Sequence, residues 1–313
     1  CGPKISSCGA VLACTGCASC LSASTPNSQL VLQGVTVIGS TQAALVYHAA
    51  LSISDAVFAY HSGALLLHTL LPDEITATGL TITNSNFTDN FYAAATSPSI
   101  QHYGGATSIS RCRFVNNTIS ESQPFALLSA FNTTSQSSPA FTMHQCSIFG
   151  NAVNSSIANH SALFRIQAML DVTISSTVVS DNRAGAIIWV DQGSTAGWGP
   201  TQVISLANSS FTNNIAASAS MAPVTLTATV GIFSIITDCL FENNRGESGG
   251  ALAVHADSFV TLELTRTVFE DNVGFGSGGA LKAWTLDCAE CAPATHLLNL
   301  TASDCRFISN TAI

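Results

Sequence analysis

The chain has 313 residues, 47% of them hydrophobic and only 9% charged, with nine Lys and Arg against eighteen Asp and Glu and a net charge of -9. So few cations leave no basic stripe, which argues against a nucleic-acid partner or an anionic membrane surface. No run approaches the roughly 18 apolar residues that span a bilayer, so no direct membrane insertion is expected, and the surface must consist of hydroxyls and amides rather than charges.

Residues 1–28 are dense in cysteine: Cys1, Cys8, Cys14, Cys17 and Cys20 are five of the eleven in the chain. The Cys14-x-x-Cys17-x-x-Cys20 spacing is ligand-like, but nothing around it completes a zinc-finger or ferredoxin pattern. Disulfides formed in an oxidising, secretory compartment are therefore the preferred reading, and no metal or other cofactor is expected. The odd cysteine total implies a free thiol or a partner outside the segment. This stretch is read as a Cys-rich N-terminal cap or linker. It lacks an initiator Met and a charged region leading into an apolar one, so any signal peptide is expected to be removed or to lie outside it.

Residues 29–313 repeat. Phe-x-x-Asn occurs at Phe87/Asn90, Phe114/Asn117, Phe211/Asn214, Phe241/Asn244, Phe269/Asn272 and Phe307/Asn310, with Ile148/Asn151 and Val179/Asn182 as aliphatic versions. Chance would supply roughly one such Phe motif, so the count is a signal. Two residues before each apolar member stands Ser85, Cys112, Cys146, Thr177, Ser209, Cys239, Thr267 or Cys305. The Asn positions lie 27, 34, 31, 32, 30, 28 and 38 residues apart.

Within a unit the apolar period is two, as in Val260, Leu262 and Leu264 against Phe259, Thr261 and Glu263, which specifies strands. Short strands recurring without helical spacers predict an all-β fold, a right-handed, single-stranded parallel β-helix of about nine or ten coils, a rod on the order of 45 Å long. One coil is read as a strand such as ALAV, a turn, a longer strand such as SFVTLELTRTVF, and a turn at the Asn. Phe is expected to stack inside the rod. Asn is expected both to adopt positive φ at the turn and to bond its equivalents above and below. Asp89, Asp181 and Asp271 precede that Asn, but turn formation accounts for them without calcium. The pairs Gly104-Gly105, Gly249-Gly250 and Gly278-Gly279 are expected where the chain re-enters a strand, with Gly63-Ala64 and Gly185-Ala186 as reduced forms.

Cys112 and Cys146 share a column in successive coils, as a bridge or as buried free thiols. Cys288 and Cys291 are read as stapling a protruding loop. Sequons at Asn86, Asn116, Asn132, Asn154, Asn159, Asn208 and Asn299 fit a glycosylated secreted protein. Ending soon after an Asn turn, the segment is expected to be a fragment of a longer protein.

FENN at 241–244 and FEDN at 269–272, with GGAL at 249–252 and 278–281, resemble the FxxN and GGA[ILV] repeats of chlamydial polymorphic outer membrane proteins and of other surface proteins that carry them. The resemblance covers roughly residues 54–313 and implies a pectin-lyase-like β-helix, exposed at a cell surface and often adhesive. Parallel β-helices also carry pectin-degrading enzymes. Here the NTD, GHG and RIK signatures of polygalacturonases are missing, with Arg165-Ile166-Gln167 the nearest approach. Ile188-Trp189-Val190-Asp191-Gln192 resembles the pectate-lyase WiDH segment, with Gln192 in place of His.

The eight histidines are scattered singly and form no ligand pair. The expectation is a non-enzymatic extracellular rod for display, adhesion or assembly with itself or other chains of a surface structure. The alternatives are a polysaccharide lyase or hydrolase, or a carbohydrate-binding protein using Trp189, Trp198 or Tyr92 as exposed platforms.

Overall fold

A computed structural model describes residues 4–13, 19–23, 29–39, 43–47, 50–62, 66–68, 79–92, 100–103, 105–120, 127–131, 140–154, 161–167, 169–191, 201–218, 220–285 and 297–313. Among these residues there are 38 strands and no helix. They pair in parallel, each with the equivalent strand one repeat away, into sheets of 20, 8 and 10 strands. The fold is an all-β parallel β-solenoid.

The turn chemistry of one repeat shows how a coil closes. Gly231–Thr237 and Leu240–Glu242 lie in the 20-stranded sheet, Arg245–Ser248 in the 8-stranded sheet and Leu252–Ala256 in the 10-stranded sheet. Three residues bend this path at positive φ, Asp238 at 54°, Asn243 at 52° and Gly249 at 87°. Every non-glycine residue with positive φ among the described residues falls in one of two such columns. The first holds Asp55, Asn84, Arg111, Gln145, Ser176, Asn208, Asp238, Arg266 and Asp304; the second holds Tyr60, Asp89, Asn116, Asp181, Asn213, Asn243, Asp271 and Ser309, with Gly150 in the same row. Asn and Asp dominate because a short polar side chain lowers the cost of the left-handed region, ~1–2 kcal/mol for other residues.

Two expectations are corrected here. The left-handed residue is the one before the motif Asn, not the Asn itself. The long strand SFVTLELTRTVF is two strands, Phe259–Thr265 and Val268–Glu270, bent at Arg266. Thr267 must turn its hydroxyl and Phe269 its ring into the core after Leu264 has already done so, which a straight strand cannot do.

The motif Asn is buried instead. Asn90, Asn117, Asn151, Asn182, Asn214, Asn244 and Asn272 each donate from Nδ2 to the Oδ1 of the next member, ending at Asn310, at 2.7 to 3.1 Å. The second Nδ2 hydrogen goes to the carbonyl at the Phe position one coil back, as from Asn244 to Phe211 O at 2.7 Å. Each Oδ1 also accepts a backbone N–H, as Asn244 does from Asn214 at 3.1 Å. Buried amides must be saturated in this way, because water cannot supply the missing partners.

Phe58-x-x-His61 is a further motif member. His61 donates its backbone N–H to Asn90 Oδ1 at 2.9 Å and places Nε2 2.9 Å from Val37 O, so that nitrogen carries the proton. Burial holds its pKa below the ordinary 6.5, against the opposing pull of the Val37 carbonyl.

The Phe column runs through the core as expected. Phe58, Phe87 and Phe114 stack at 5.0 and 4.8 Å, and Phe211, Phe241, Phe269 and Phe307 at 4.8 to 4.9 Å, all within 8° of parallel. Ile148 and Val179 interrupt the stack, and Phe164 from the 10-stranded sheet meets Phe114 edge-on at 5.2 Å.

The Cys/Ser/Thr column makes a third ladder. Each hydroxyl or thiol donates to the carbonyl two residues back, as Ser209 does to Ala207 O at 2.8 Å and Cys239 to Thr237 O at 3.4 Å. A hydroxyl also accepts the backbone N–H one coil below, as Ser209 does from Thr177 at 3.1 Å.

At the glycine pairs, Gly249 and Gly278 have φ of 87° and 65°, and a Cβ on Gly250 would stand 1.9 Å from Gly279 O. Both pairs lead into the 10-stranded sheet, as Gly185-Ala186 does. Gly105, at φ 70°, also precedes a strand, but Thr107–Ser110 of the 20-stranded sheet rather than one of the 10-stranded sheet, and Gly104, Gly63 and Ala64 lie outside the described residues. Residues 4–13 pair with 31–38, with a register shift between Ser6 and Ala10, and residues 19–23 pair with 43–47, so strands before and after residue 28 pair with one another.

Candidate functional site: an outward cluster on the ten-stranded sheet

Two stretches far apart in sequence meet on one face. Strands Ala162–Gln167, Ala186–Asp191 and Val224–Ala228 are neighbours in the 10-stranded sheet, with Arg165 level with Trp189 and Gln167 level with Asp191 and Thr227. Strand alternation sends Phe164, Ile166, Ile188 and Val190 into the fully buried core and leaves these five on the opposite, outer side.

The arrangement is a tight polar network. The Arg165 guanidinium carbon lies 4.5 Å from the Trp189 ring centroid, a cation–π distance. Gln167 Nε2 donates to Asp191 Oδ2 at 3.0 Å, and Trp189 Nε1 donates to Thr227 Oγ1 at 3.1 Å. The Thr227 hydroxyl lies 3.2 Å from Val190 O and 3.4 Å from Asp191 Oδ1, so its one proton is shared between two acceptors. Trp189 packs with Ala162, Ala186 and Met221 in a small apolar cluster separate from the main core.

Burial pushes the Arg165 pKa down, and the Asp191 carboxylate opposes that shift. A guanidinium still holds its proton at neutral pH, which disfavours Arg165 as a general base. Asp191 is the only carboxylate on these three strands. Glycoside hydrolysis by acid and base calls for two, ~5 to 9.5 Å apart.

The same outward column continues from Thr227 to His255 and Trp284. The two rings stack at 4.8 Å and 16°, Lys282 Nζ lies 4.4 Å from the Trp284 centroid, and His255 Nε2 is 3.8 Å from Asp257 Oδ1. Burial depresses the His255 pKa, Asp257 raises it and Lys282 lowers it further. No group of three or more His, Cys, Asp or Glu that could hold a metal ion occurs among the described residues. A shallow groove of about 440 Å³ lies elsewhere, lined by Asn213, Ile215, Asn243, Arg245, Asp271 and Val273.

Sequence reasoning named Arg165-Ile166-Gln167 and Trp189-Val190-Asp191 separately, and the coil spacing brings them together. It expected Trp189 and Tyr92 as exposed platforms; Trp189 is only 7% exposed and Tyr92 is buried, so neither offers an open ring face. Trp198 and Gln192 lie outside the described residues. Among the sequons, Asn86, Asn116, Asn208 and Asn299 are exposed. Asn154 ends a strand without a described side chain, and Asn132 and Asn159 lie outside the described residues.

Cys112 and Cys146 are buried free thiols, as is Cys239, whose pKa burial pushes up to about 11. Cys1, Cys14, Cys17, Cys288 and Cys291 lie outside the described residues, and Cys8 and Cys20 are described in backbone only. His61 and the first left-handed column were missed. Their signal is DAVFAYH at 55–61, which fits the repeat once the left-handed residue, not the Asn, is taken as the anchor.

The chain matches no protein-family model, and no curated protein is detectably similar to it.

Proposed function

We propose that this chain is a non-enzymatic structural rod at the cell surface or outside the cell, serving adhesion or assembly into a matrix or filament. The observation that carries the reading is where the specific polar chemistry lies. It runs inside the rod as the Asn ladder and the hydroxyl–thiol ladder, binding each coil to the next without ions. Exposed Asn86, Asn116, Asn208 and Asn299 suit a secreted glycoprotein. The FxxN and GGA repeats support membership of the polymorphic outer membrane protein repeat class, with a right-handed, pectin-lyase-like winding consistent with the usual hand of parallel crossovers. The 10-stranded sheet, with one strand per coil, supports a rod of the expected nine or ten coils.

The second reading is a polysaccharide-active or carbohydrate-binding protein, favoured by the meeting of Arg165, Trp189 and Asp191 at one point. The two readings separate experimentally. A rod gives no turnover of polyuronates and instead associates with itself, with other surface proteins or with cells. An enzyme cleaves polyuronates and loses the rate in Asp191→Asn. Failure of the purified full-length protein to assemble or adhere would refute the first reading.

A further inference from the structure

We propose that Cys112 and Cys146 form a redox-sensitive pair that closes to a disulfide between successive coils, stapling the rod where its aromatic stack is broken. Their positions are fixed by the strands on either side: Ser110 is level with His144 and Arg113 with Ser147, so the two cysteines are level with each other. One coil of separation is ~4.8 Å, inside the Cα range of ~4.4–6.8 Å that a disulfide requires.

The thiols also point the same way. Cys112 Sγ lies 3.5 Å from Ile82 O and Cys146 Sγ 3.8 Å from Ile109 O, so Cys146 Sγ leans toward the coil that carries Cys112. The two thiols also influence each other: Cys112 holds the Cys146 pKa below its ordinary value against the effect of burial, and Cys146, with burial, pushes the Cys112 pKa up.

No other described cysteines meet these conditions. The coil above Cys239 presents Thr267, whose hydroxyl accepts the Cys239 N–H at 3.5 Å, and the coil below presents Ser209. Cys305 follows Thr267 in the same column. The location is also where the stack of motif Phe rings is interrupted: Phe114 stacks on Phe87 below, but above it stand Ile148 and then Val179.

With a small-molecule disulfide as oxidant, one of the two thiols loses its proton and attacks one sulfur, releasing one thiolate. The other thiol then loses its proton and displaces the second thiolate, forming the Cys112–Cys146 bond. Two protein thiols and one disulfide become one protein disulfide and two small thiols. Both cysteines are nearly inaccessible, at 0% and 3% exposure, so exchange requires local opening of a coil. The pair rests on the extracellular reading only for the source of its oxidant.

The test uses the reduced full-length protein, held with oxidised glutathione just below its thermal midpoint, then denatured, alkylated and mapped by mass spectrometry. The expected result is one linked Cys112–Cys146 peptide, with a midpoint raised by roughly 5 °C and restored by reductant. Cys146→Ser keeps the hydroxyl ladder, as Ser209 does, and is expected to fold but lose the redox-dependent shift; Cys239→Ser keeps the shift. Recovery of both cysteines in alkylated form, or a glutathione adduct that never resolves, overturns the proposal. Thiols found reduced in protein taken directly from its source would count against an oxidising location and leave the pair's chemistry standing.

Discussion

Removing one rung of the Asn ladder is the most direct test of how coils are held together. Asn214→Ala deletes four hydrogen bonds: from Asn182 Nδ2 at 3.0 Å and Asn182 N at 3.2 Å to Asn214 Oδ1, and from Asn214 Nδ2 to Val179 O at 2.9 Å and Asn244 Oδ1 at 3.1 Å. Some partners keep a second bond. Asn182 Nδ2 retains Ile148 O at 3.0 Å, and Asn244 Oδ1 retains the Asn214 backbone N–H at 3.1 Å. Two donors are orphaned, the Asn182 backbone N–H and one hydrogen of its amide. Asn182 is 1% exposed, so water cannot replace the lost acceptor.

At ~1–3 kcal/mol per unsatisfied buried group, the substitution costs about 4 kcal/mol. The neighbouring Asn213→Ala removes an exposed side chain at φ 55° and costs about 1 kcal/mol. Urea denaturation followed by circular dichroism gives the ranking, and hydrogen exchange at the Asn182 amide reports the broken rung directly. A loss below 1 kcal/mol for Asn214→Ala, or a larger loss for Asn213→Ala, refutes the ladder account.

Three further outcomes are expected. Phe241→Ala leaves a cavity between Phe211 and Phe269, both within 4.9 Å of its ring, and costs about 3–5 kcal/mol in the same denaturation assay. Gly250→Ala drives a methyl to within 1.9 Å of a backbone oxygen that cannot yield, so the thermal midpoint falls, whereas alanine at Gly39 meets no atom within 4 Å and costs only the strain of φ 70°. His61 stays neutral when folded but takes a proton near pH 6.5 when unfolded, so stability declines as pH falls below that value, until the folded state also protonates. His61→Asn keeps the ladder position and flattens this slope; an unchanged pH profile of the midpoint refutes the assignment.

The repeat was legible because its chemistry is local. Phe and Asn three residues apart, with a small polar residue two before the Phe, must sit at fixed places on a short strand and its turn. Counting those spacings was enough to specify parallel strands, an internal Phe column and an Asn ladder. The division of labour inside the turn was not legible. Asn and Asp favour both left-handed corners and buried ladders, so Asn213-Asn214 and Asn243-Asn244 read alike until backbone dihedrals and burial separate them. Arg111, Gln145 and Arg266 carry no sequence signal for a left-handed corner, which hid the first bend and made two strands look like one.

The cluster of Arg165, Trp189, Asp191 and Thr227 depended wholly on tertiary structure. Each residue belongs to a different coil or to a different place in one, and only the register of the 10-stranded sheet makes them neighbours. The sequence by itself determined what each coil must repeat, because periodicity and turn preference act within a few residues. Which outward side chains meet was decided by stacking, because that depends on how many residues each loop inserts before the chain returns to the same sheet.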